Sequence, residues 1–234
     1  MNKILSFIIV LAVIGGGVFL YITRPVAVPT ENIQDQVEPV ATDDTSSASG
    51  TQLAGTTDEG TTYRIGSSSK ATFSINEVLN DKPFNAVGTT SQIAGEINVT
   101  DNDVENMHFM TLGTLKIDAR TFKTDSEKRD GAIVRMILKS ENEGNEYISF
   151  TPTEKSISFT DGQSFDVAGN LTISGVTKPV TFKVTATQTA DKITGKATAN
   201  VKRSDFNLTI PNVPFVASVE DTFVISADIV ASKK

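Results

Sequence analysis

The sequence predicts an all-β domain, a sandwich or a barrel, on three observations. Between residues 167 and 187, Val167, Gly169, Leu171 and Ile173 alternate with Ala168, Asn170 and Thr172. After a Gly/Pro break at residues 174–179, Val180, Phe182, Val184 and Ala186 alternate with Thr181, Lys183, Thr185 and Thr187. Such period-two alternation on both sides of a break is the pattern of two antiparallel strands with one oily and one polar face. The second observation is repetition, because short alternating runs recur from Thr61 onward with turn signals at close spacing. The third is that residues 125–139 alone break the texture, with Ile133, Val134, Ile137 and Leu138 at helical spacing.

Residues 4–22 form an uncharged run of 19 residues between Lys3 and Arg24. A bilayer core takes about 20 apolar residues of helix, and the Gly15-Gly16-Gly17 triplet is tolerable in lipid. A cleaved signal peptide has an apolar region of about 7–15 residues that ends on small side chains. This run is longer and ends on Phe19-Leu20-Tyr21-Ile22. Residues 1–24 are therefore expected to be a single, uncleaved N-terminal transmembrane helix. Lys3 and the α-amino group precede it and only Arg24 follows, which favours a cytoplasmic N-terminus. The remainder is then extracytoplasmic, in a periplasm or at a cell surface.

Residues 25–60 carry Glu31, Asp35, Glu38, Asp43, Asp44, Asp58 and Glu59 with no Lys or Arg. The whole chain of 234 residues has a net charge of -7, so this stretch accounts for all of it. Rich in Thr, Ser, Pro and Gly and poor in aliphatics, it is expected to be a disordered, extended spacer that holds the domain away from the membrane. The domain at 61–234 is then close to neutral, so its partner is not selected by charge, and nucleic acid is not expected.

Within 61–234 the strand signals follow in order. Tyr63-Arg64-Ile65 opens, Ala71, Phe73 and Ile75 alternate with polar neighbours, and a turn is expected at Asn80-Asp81-Lys82-Pro83. Runs at 87–99, 109–118 and 147–159 follow, then the central pair, 193–201 and 223–230. The helix at 125–139 has Asp125 or Ser126 as a start signal, and Gly131 weakens it.

Chemistry by bond-making is disfavoured. The absence of cysteine removes disulfides, thiolate metal sites and a cysteine nucleophile. A Ser–His–Asp triad would have to use His108, which stands beside Met107 and Phe109 without a G-x-S-x-G elbow. His108 is expected to be an ordinary exposed strand residue. Residues 101–105 (DNDVE) lack the glycine and distal glutamate of a calcium loop and read as a solvated hairpin. No enzyme activity, cofactor or metal is expected.

Several blocks resemble one family, the YceI-like polyisoprenoid-binding proteins. GNLTISGVTKPVTFKV at 169–184 is similar to that family's G-x-L-T-I-x-G-V-T-K/R-P-V-T-x-x-V hairpin, and VKRSDF at 201–206 to its R-x-D-F-G strand, with Asn207 where glycine is usual. DARTFKTD at 118–125 with Lys128-Arg129-Asp130 resembles the stretch leading into the family's helix, and SKATF at 69–73 its first strand. The family often has His near the end of the first long strand and at the position of Ser174. Here Asn76-Glu77 and Ser174 stand instead, and the VGTT (87–90) and TPTE (151–154) segments resemble a subset of the family. The resemblance runs from Tyr63 to Val230. It implies an eight-stranded antiparallel lipocalin-like barrel with one side helix, holding a long isoprenoid chain inside.

An eight-stranded barrel is just wide enough to be filled by side chains or to hold one small ligand. The expected lining of a ligand tunnel is Phe73, Phe84, Phe109, Leu115, Ile117, Leu171, Ile173, Phe182, Val184, Phe223 and Ile225. Gly113, Gly169, Gly195, Ala197 and Ala199, counted at inward parity, argue for space, although a filled barrel also uses small residues to fit its taper. Arg203 with Asp205, and Arg129 with Asp130, read either as ion pairs or as head-group contacts. The expected function is a membrane-tethered carrier of an isoprenoid or similar long-chain lipid. The alternative is an envelope scaffold or adhesion module with a solid core, acting through loops such as residues 211–215.

Overall fold

The computed structural model describes residues 24, 26, 32–40, 60–101, 107–211 and 216–234. Residues 1–23 of the expected membrane helix, the 102–105 part of the acidic hairpin and residues 212–215 lie outside them. No helix among the described residues is long and apolar enough to cross a membrane.

From Thr61 the alternating runs become strands. β1 (Thr61–Ile65) and β2 (Lys70–Leu79) make one stretch, and β3 (Lys82–Thr90), β4 (Ile93–Ala94) and β5 (Glu96–Asp101) a second. β6 (Met107–Leu112) with β7 (Leu115–Asp118) and β8 (Tyr147–Pro152) with β9 (Ile157–Thr160) make two more. β10 (Ser164–Ile173), β11 (Val176–Thr189) and β12 (Lys192–Lys202) are unbroken, followed by the short β13 (Val216–Val219) and by β14 (Thr222–Lys233). Among the described residues the fourteen strands thus fall into eight stretches of chain plus β13, which pairs with β2.

Each stretch pairs with the next: β1 with β5 and β2 with β3, β4 with β7 and β5 with β6, β7 with β8 and β6 with β9. β8 pairs with β10, β10 with β11, β11 with β12 and β12 with β14. β14 then returns to β1 and β2. Every one of these pairings is antiparallel, so the sheet is curled on itself and barrel-like.

The splits have local causes. At Gly113-Thr114 the register slips by one, since Ile97 faces Leu112 but Ala94 faces Lys116. An inserted residue of this kind bends a strand and exchanges its two faces. Among the described residues three hairpins turn on two residues, and two of them have both central residues at positive φ, Asn80 (50°) with Asp81 (61°) and Ser174 (49°) with Gly175 (75°); the 190–191 turn does not. Positive φ at both is the conformation whose twist matches a two-residue hairpin. The break in the central pair is accordingly two residues, narrower than the expected 174–179, and Pro179 lies within β11 opposite Asn170. Pairing with β12 starts only at Lys183, so the missing N–H of Pro179 interrupts no ladder on that side.

Helix α1 (Glu127–Ala132) runs into a π-helical turn, Ile133–Ile137, closed by Leu138 N–H to the Ile133 carbonyl at 2.8 Å. Ser126 occupies the cap position without a side-chain bond. Buried Asp130 organises the start instead, accepting from the N–H and the hydroxyl of Thr124, both at 2.7 Å. At the far end the Ser174 hydroxyl donates to the Leu138 carbonyl at 2.7 Å. The helix therefore lies across one end of the curled sheet, the end that also holds the 80–81 and 174–175 turns and the 203–221 connection.

Residues 32–40 correct the expectation of a wholly disordered spacer. Ile33, in a 3-10 turn (Ile33–Gln36), is 5% exposed, and Gln34 Nε2 donates to the Ile65 carbonyl at 2.8 Å. Scattered aliphatics are enough here, because they land on a wall that the rest of the fold has already built. Val40 lies against Gly113 and its N–H reaches Glu96 Oε2 at 3.4 Å. The Glu96 carboxylate, 7% exposed, also accepts from Arg64 Nη2 at 2.9 Å and Lys234 Nζ at 3.0 Å.

Burial pushes the Glu96 carboxyl up, but the hydrogen bonds from Arg64, Lys234 and Val40 outweigh it and hold the pKa below its ordinary 4.5. A depressed folded-state pKa adds stability above the unfolded value, and that stability is lost as pH falls through the folded one. The melting temperature is expected to drop as the pH is lowered below about 4.5. Glu96→Gln should flatten that part of the profile in a pH series of thermal melts.

Candidate functional site

The inner faces of the curled sheet do not meet. They enclose a cavity of about 760 Å³, within the range of about 300–1,000 Å³ typical of small-molecule sites. Nine of the eleven expected residues line it: Phe73, Leu115, Ile117, Leu171, Ile173, Phe182, Val184, Phe223 and Ile225. A solid core, on which the scaffold alternative depends, is not what these side chains build.

Phe109 is a correction. It is 39% exposed, while Met110 and Leu112 of the same strand line the cavity. Counting straight along the chain puts Phe109 in step with Leu115 and Ile117, but the slip at Gly113-Thr114 exchanges the faces between them. Phe84 is the second departure. It keeps the inward parity of Ala86, yet it lies beyond the lining, with the Arg129 guanidinium carbon 5.1 Å from its ring centre.

The glycines divide in the same way. Gly195 and Ala197 line the cavity. Gly169 makes no space, because a Cβ there would come within 2.3 Å of Phe150 Cζ, and that ring stands edge-on to Phe182 at 4.9 Å. Gly113 faces outward, where a Cβ would meet Val40 Cγ2 at 3.0 Å. Ala199 is buried but lies outside the lining.

Ile75, Ile97, Met110, Leu112, Ile148, Phe150 and Ile193 line the cavity without having been singled out, as do Ile133 and Ile137 of the helix. Alternation in β2, β5 and β12 carries the signal for three of these. Met110 and Leu112 needed the slip, and the helix residues needed the helix to be placed across the sheet end.

Most polar lining residues gather at that end. Arg129 Nη2 pairs with Glu77 Oε1 at 3.1 Å, and Nη1 pairs with Asp125. Asp130, its neighbour, serves the turn described above. The 203–206 segment is not a strand. Ser204–Phe206 is a 3-10 turn, with Phe206 buried and Asp205 exposed. Arg203 does not pair with Asp205. It donates to the carbonyls of Glu220 (2.9 Å), Leu208 (2.9 Å) and Val219 (3.5 Å), which ties residues 203–208 to 219–220 at the rim. Hydrogen bonds from Ser204 to Asp221 (2.7 and 3.0 Å) hold that carboxyl below the ordinary carboxylate value.

His108 sits at the opposite end. Contrary to expectation it is half-buried, its ring 5.0 Å from that of Phe159 and its Nε2 3.6 Å from Asp161 Oδ1. The cavity is walled largely by hydrocarbon, and three of its charged residues, Glu77, Asp125 and Arg129, pair with one another at the helix end.

A family model for the YceI-like domain matches residues 63–231. The chain belongs to the YceI-like family. A UPF0312 protein of Enterobacter sp. (strain 638) is 37% identical over 130 residues, which are 53% of this chain and 62% of that protein. Protein YceI of Salmonella arizonae is 28% identical over the same shares. The chain thus spans less than two thirds of the length of these curated relatives. Among solved structures, the polyisoprenoid binding domain from Saccharophagus degradans, implicated in plant cell wall breakdown, has a TM-score of 0.54 at 12% identity. It covers 75% of this chain and 99% of its own. BcnA of Burkholderia cenocepacia has a TM-score of 0.51 at 18% identity, covering 71% and 98%. At these identities the likeness is one of fold.

In the YceI-like domain the 169–184 hairpin supplies Leu171, Ile173, Phe182 and Val184 to the cavity wall. The position after the R-x-D-F motif explains its usual glycine. Asn207 has φ 55° and ends the 3-10 turn, and Asn is among the few residues other than Gly that visit this region readily. Asn207→Gly should leave the melting temperature nearly unchanged, and Asn207→Val should cost about 1–2 kcal/mol by chemical denaturation.

Proposed function

We propose that this chain is a membrane-tethered, extracytoplasmic binding protein that holds an isoprenoid or similar long-chain lipid inside an eight-stranded, lipocalin-like barrel. The cavity of about 760 Å³ between Phe73, Leu115, Phe182 and Phe223 carries the reading. Burial of hydrocarbon is favourable by about 0.8 kcal/mol per CH₂, so a few five-carbon units offset the cost of association. No bond need be made or broken, and the protein acts as a carrier rather than an enzyme. The Saccharophagus degradans domain, described as polyisoprenoid-binding, supports the ligand class. The uncharged run at 4–22 supports the tether, with the N-terminus cytoplasmic and the domain on the other side.

The experiment is native mass spectrometry of the full chain extracted from membranes in mild detergent, followed by solvent extraction and lipid analysis. The expected result is a stoichiometric polyprenyl or comparable long-chain lipid. A protein repeatedly free of lipid, with its fold intact by circular dichroism, would defeat the proposal.

A further inference from the structure

Strand β1 begins at the end of the sheet opposite the helix. The 161–163 and 190–191 turns lie at that same end, which follows from the antiparallel order of the strands. A loose spacer entering β1 would leave the domain free to present any side to a membrane. The described points of the N-terminal stretch show another arrangement. Arg24 is held at the helix end, where its guanidinium pairs with Glu141 and its carbonyl accepts Arg135 Nη2 at 2.7 Å. The Arg135 side chain is 0% exposed and bonds Glu141 through Nε at 3.1 Å, so the seat for Arg24 is built into the fold. Further along, Ile33 is buried beside β4 and β7, and Val40 reaches Gly113 and Glu96. Gly60 packs at the far end, where a Cβ would collide with Asn98 and with the Val99 carbonyl. These points descend the outer wall in sequence order, from the helix end to the start of β1.

Arg24 is also the first charge after the uncharged run at 4–22. The place where that run leaves the domain is therefore fixed at the end where Glu77, Asp125 and Arg129 rim the cavity. We infer that this N-terminal strap, pinned at Arg24, Ile33, Val40 and Gly60, orients the domain on a lipid bilayer with the helix end and the cavity rim facing the membrane. An apolar chain then passes from the bilayer into the cavity without crossing water. The inference rests on the membrane-tethered, lipid-binding reading above and replaces the idea of a spacer that holds the domain away.

The chain has no cysteine, so single fluorescent labels can be placed at Lys82→Cys, exposed at the helix end, and at Ala190→Cys, exposed at the opposite end. The full chain is reconstituted into phosphatidylethanolamine–phosphatidylglycerol vesicles that carry a nitroxide on the acyl chain. Quenching is expected to be several-fold stronger at position 82 than at position 190. Glu141→Gln combined with Ile33→Asp, which releases the strap at two points outside the sheet while leaving Arg135 Nε an oxygen to donate to, should bring the two positions close to equality. Equal quenching in the parent chain, or stronger quenching at 190, overturns the orientation. So does a difference that survives release of the strap. Lipid extracted from the same preparations separates the two readings. Bound lipid with symmetric quenching removes the orientation and leaves the carrier, whereas a chain that does not float with the vesicles removes the tether and the orientation together.

Discussion

Replacing Ala197 and Ala227 together by phenylalanine is expected to abolish lipid retention while leaving the protein folded. The two alanines face each other across β12 and β14, and both line the cavity. Two rings there would occupy the space of at least one five-carbon unit of a bound chain. Excluding such a unit forfeits about 4 kcal/mol of hydrocarbon burial, which is roughly a 1,000-fold loss of affinity. Enlarging a residue in a well-filled core usually costs about 1–3 kcal/mol because neighbours must move. Here the rings enter a void of about 760 Å³, so the melting temperature should hold or rise. Lipid per protein after membrane extraction and a thermal melt of the same sample are the two readouts. Undiminished lipid in a variant whose rings fill the interior would place the lipid elsewhere on the protein.

Arg135→Ala is expected to be the most destabilising single substitution outside the sheet. The guanidinium is fully buried, with Nε 3.1 Å from Glu141 Oε1 and Nη2 2.7 Å from the Arg24 carbonyl. Removing one partner of a buried, hydrogen-bonded ion pair costs about 3–5 kcal/mol, because the other charge loses its compensation. Glu141 is 23% exposed and keeps the Arg24 guanidinium as a partner, so part of this is recovered and the lower end of the range applies. Arg135→Lys keeps the charge but not the two-sided fork that reaches a carboxylate and a carbonyl at once, and it should fall between the two. Denaturant midpoints of the three chains order the effects. A loss under about 1 kcal/mol for the alanine variant, the worth of a surface pair, would show that the buried fork does not hold the helix end together.

Alternation made the strands legible because a pleated strand sends successive side chains to opposite faces, and a half-buried sheet writes that period into the chain. Leu171, Ile173, Phe182 and Val184 could thus be assigned to the interior from the 167–187 run alone. At its turn the same run is less legible: Pro179 points to a longer break, whereas two residues at positive φ suffice and the proline is absorbed where β11 has no β12 partner. Asn207 shows the converse. The motif flagged the position, but only its left-handed backbone says why glycine is usual there.

The sequence carried the β class, the faces of the unbroken strands and the side-chain chemistry of the wall, because each is local and repeats every two residues. It could not determine what depends on contacts made across the chain. The register slip at Gly113-Thr114 turns Phe109 outward, because parity is counted along a strand and the slip is set by its neighbour. Arg203 finds three carbonyls rather than the adjacent Asp205, because its partners lie 5–17 residues away. Residues 32–40 are ordered only because the wall that receives them, Ile65, Glu96 and Gly113, is assembled from three separate strand stretches. The interior stays open because the volume left between facing walls is fixed by how the whole sheet curls and not by any one strand.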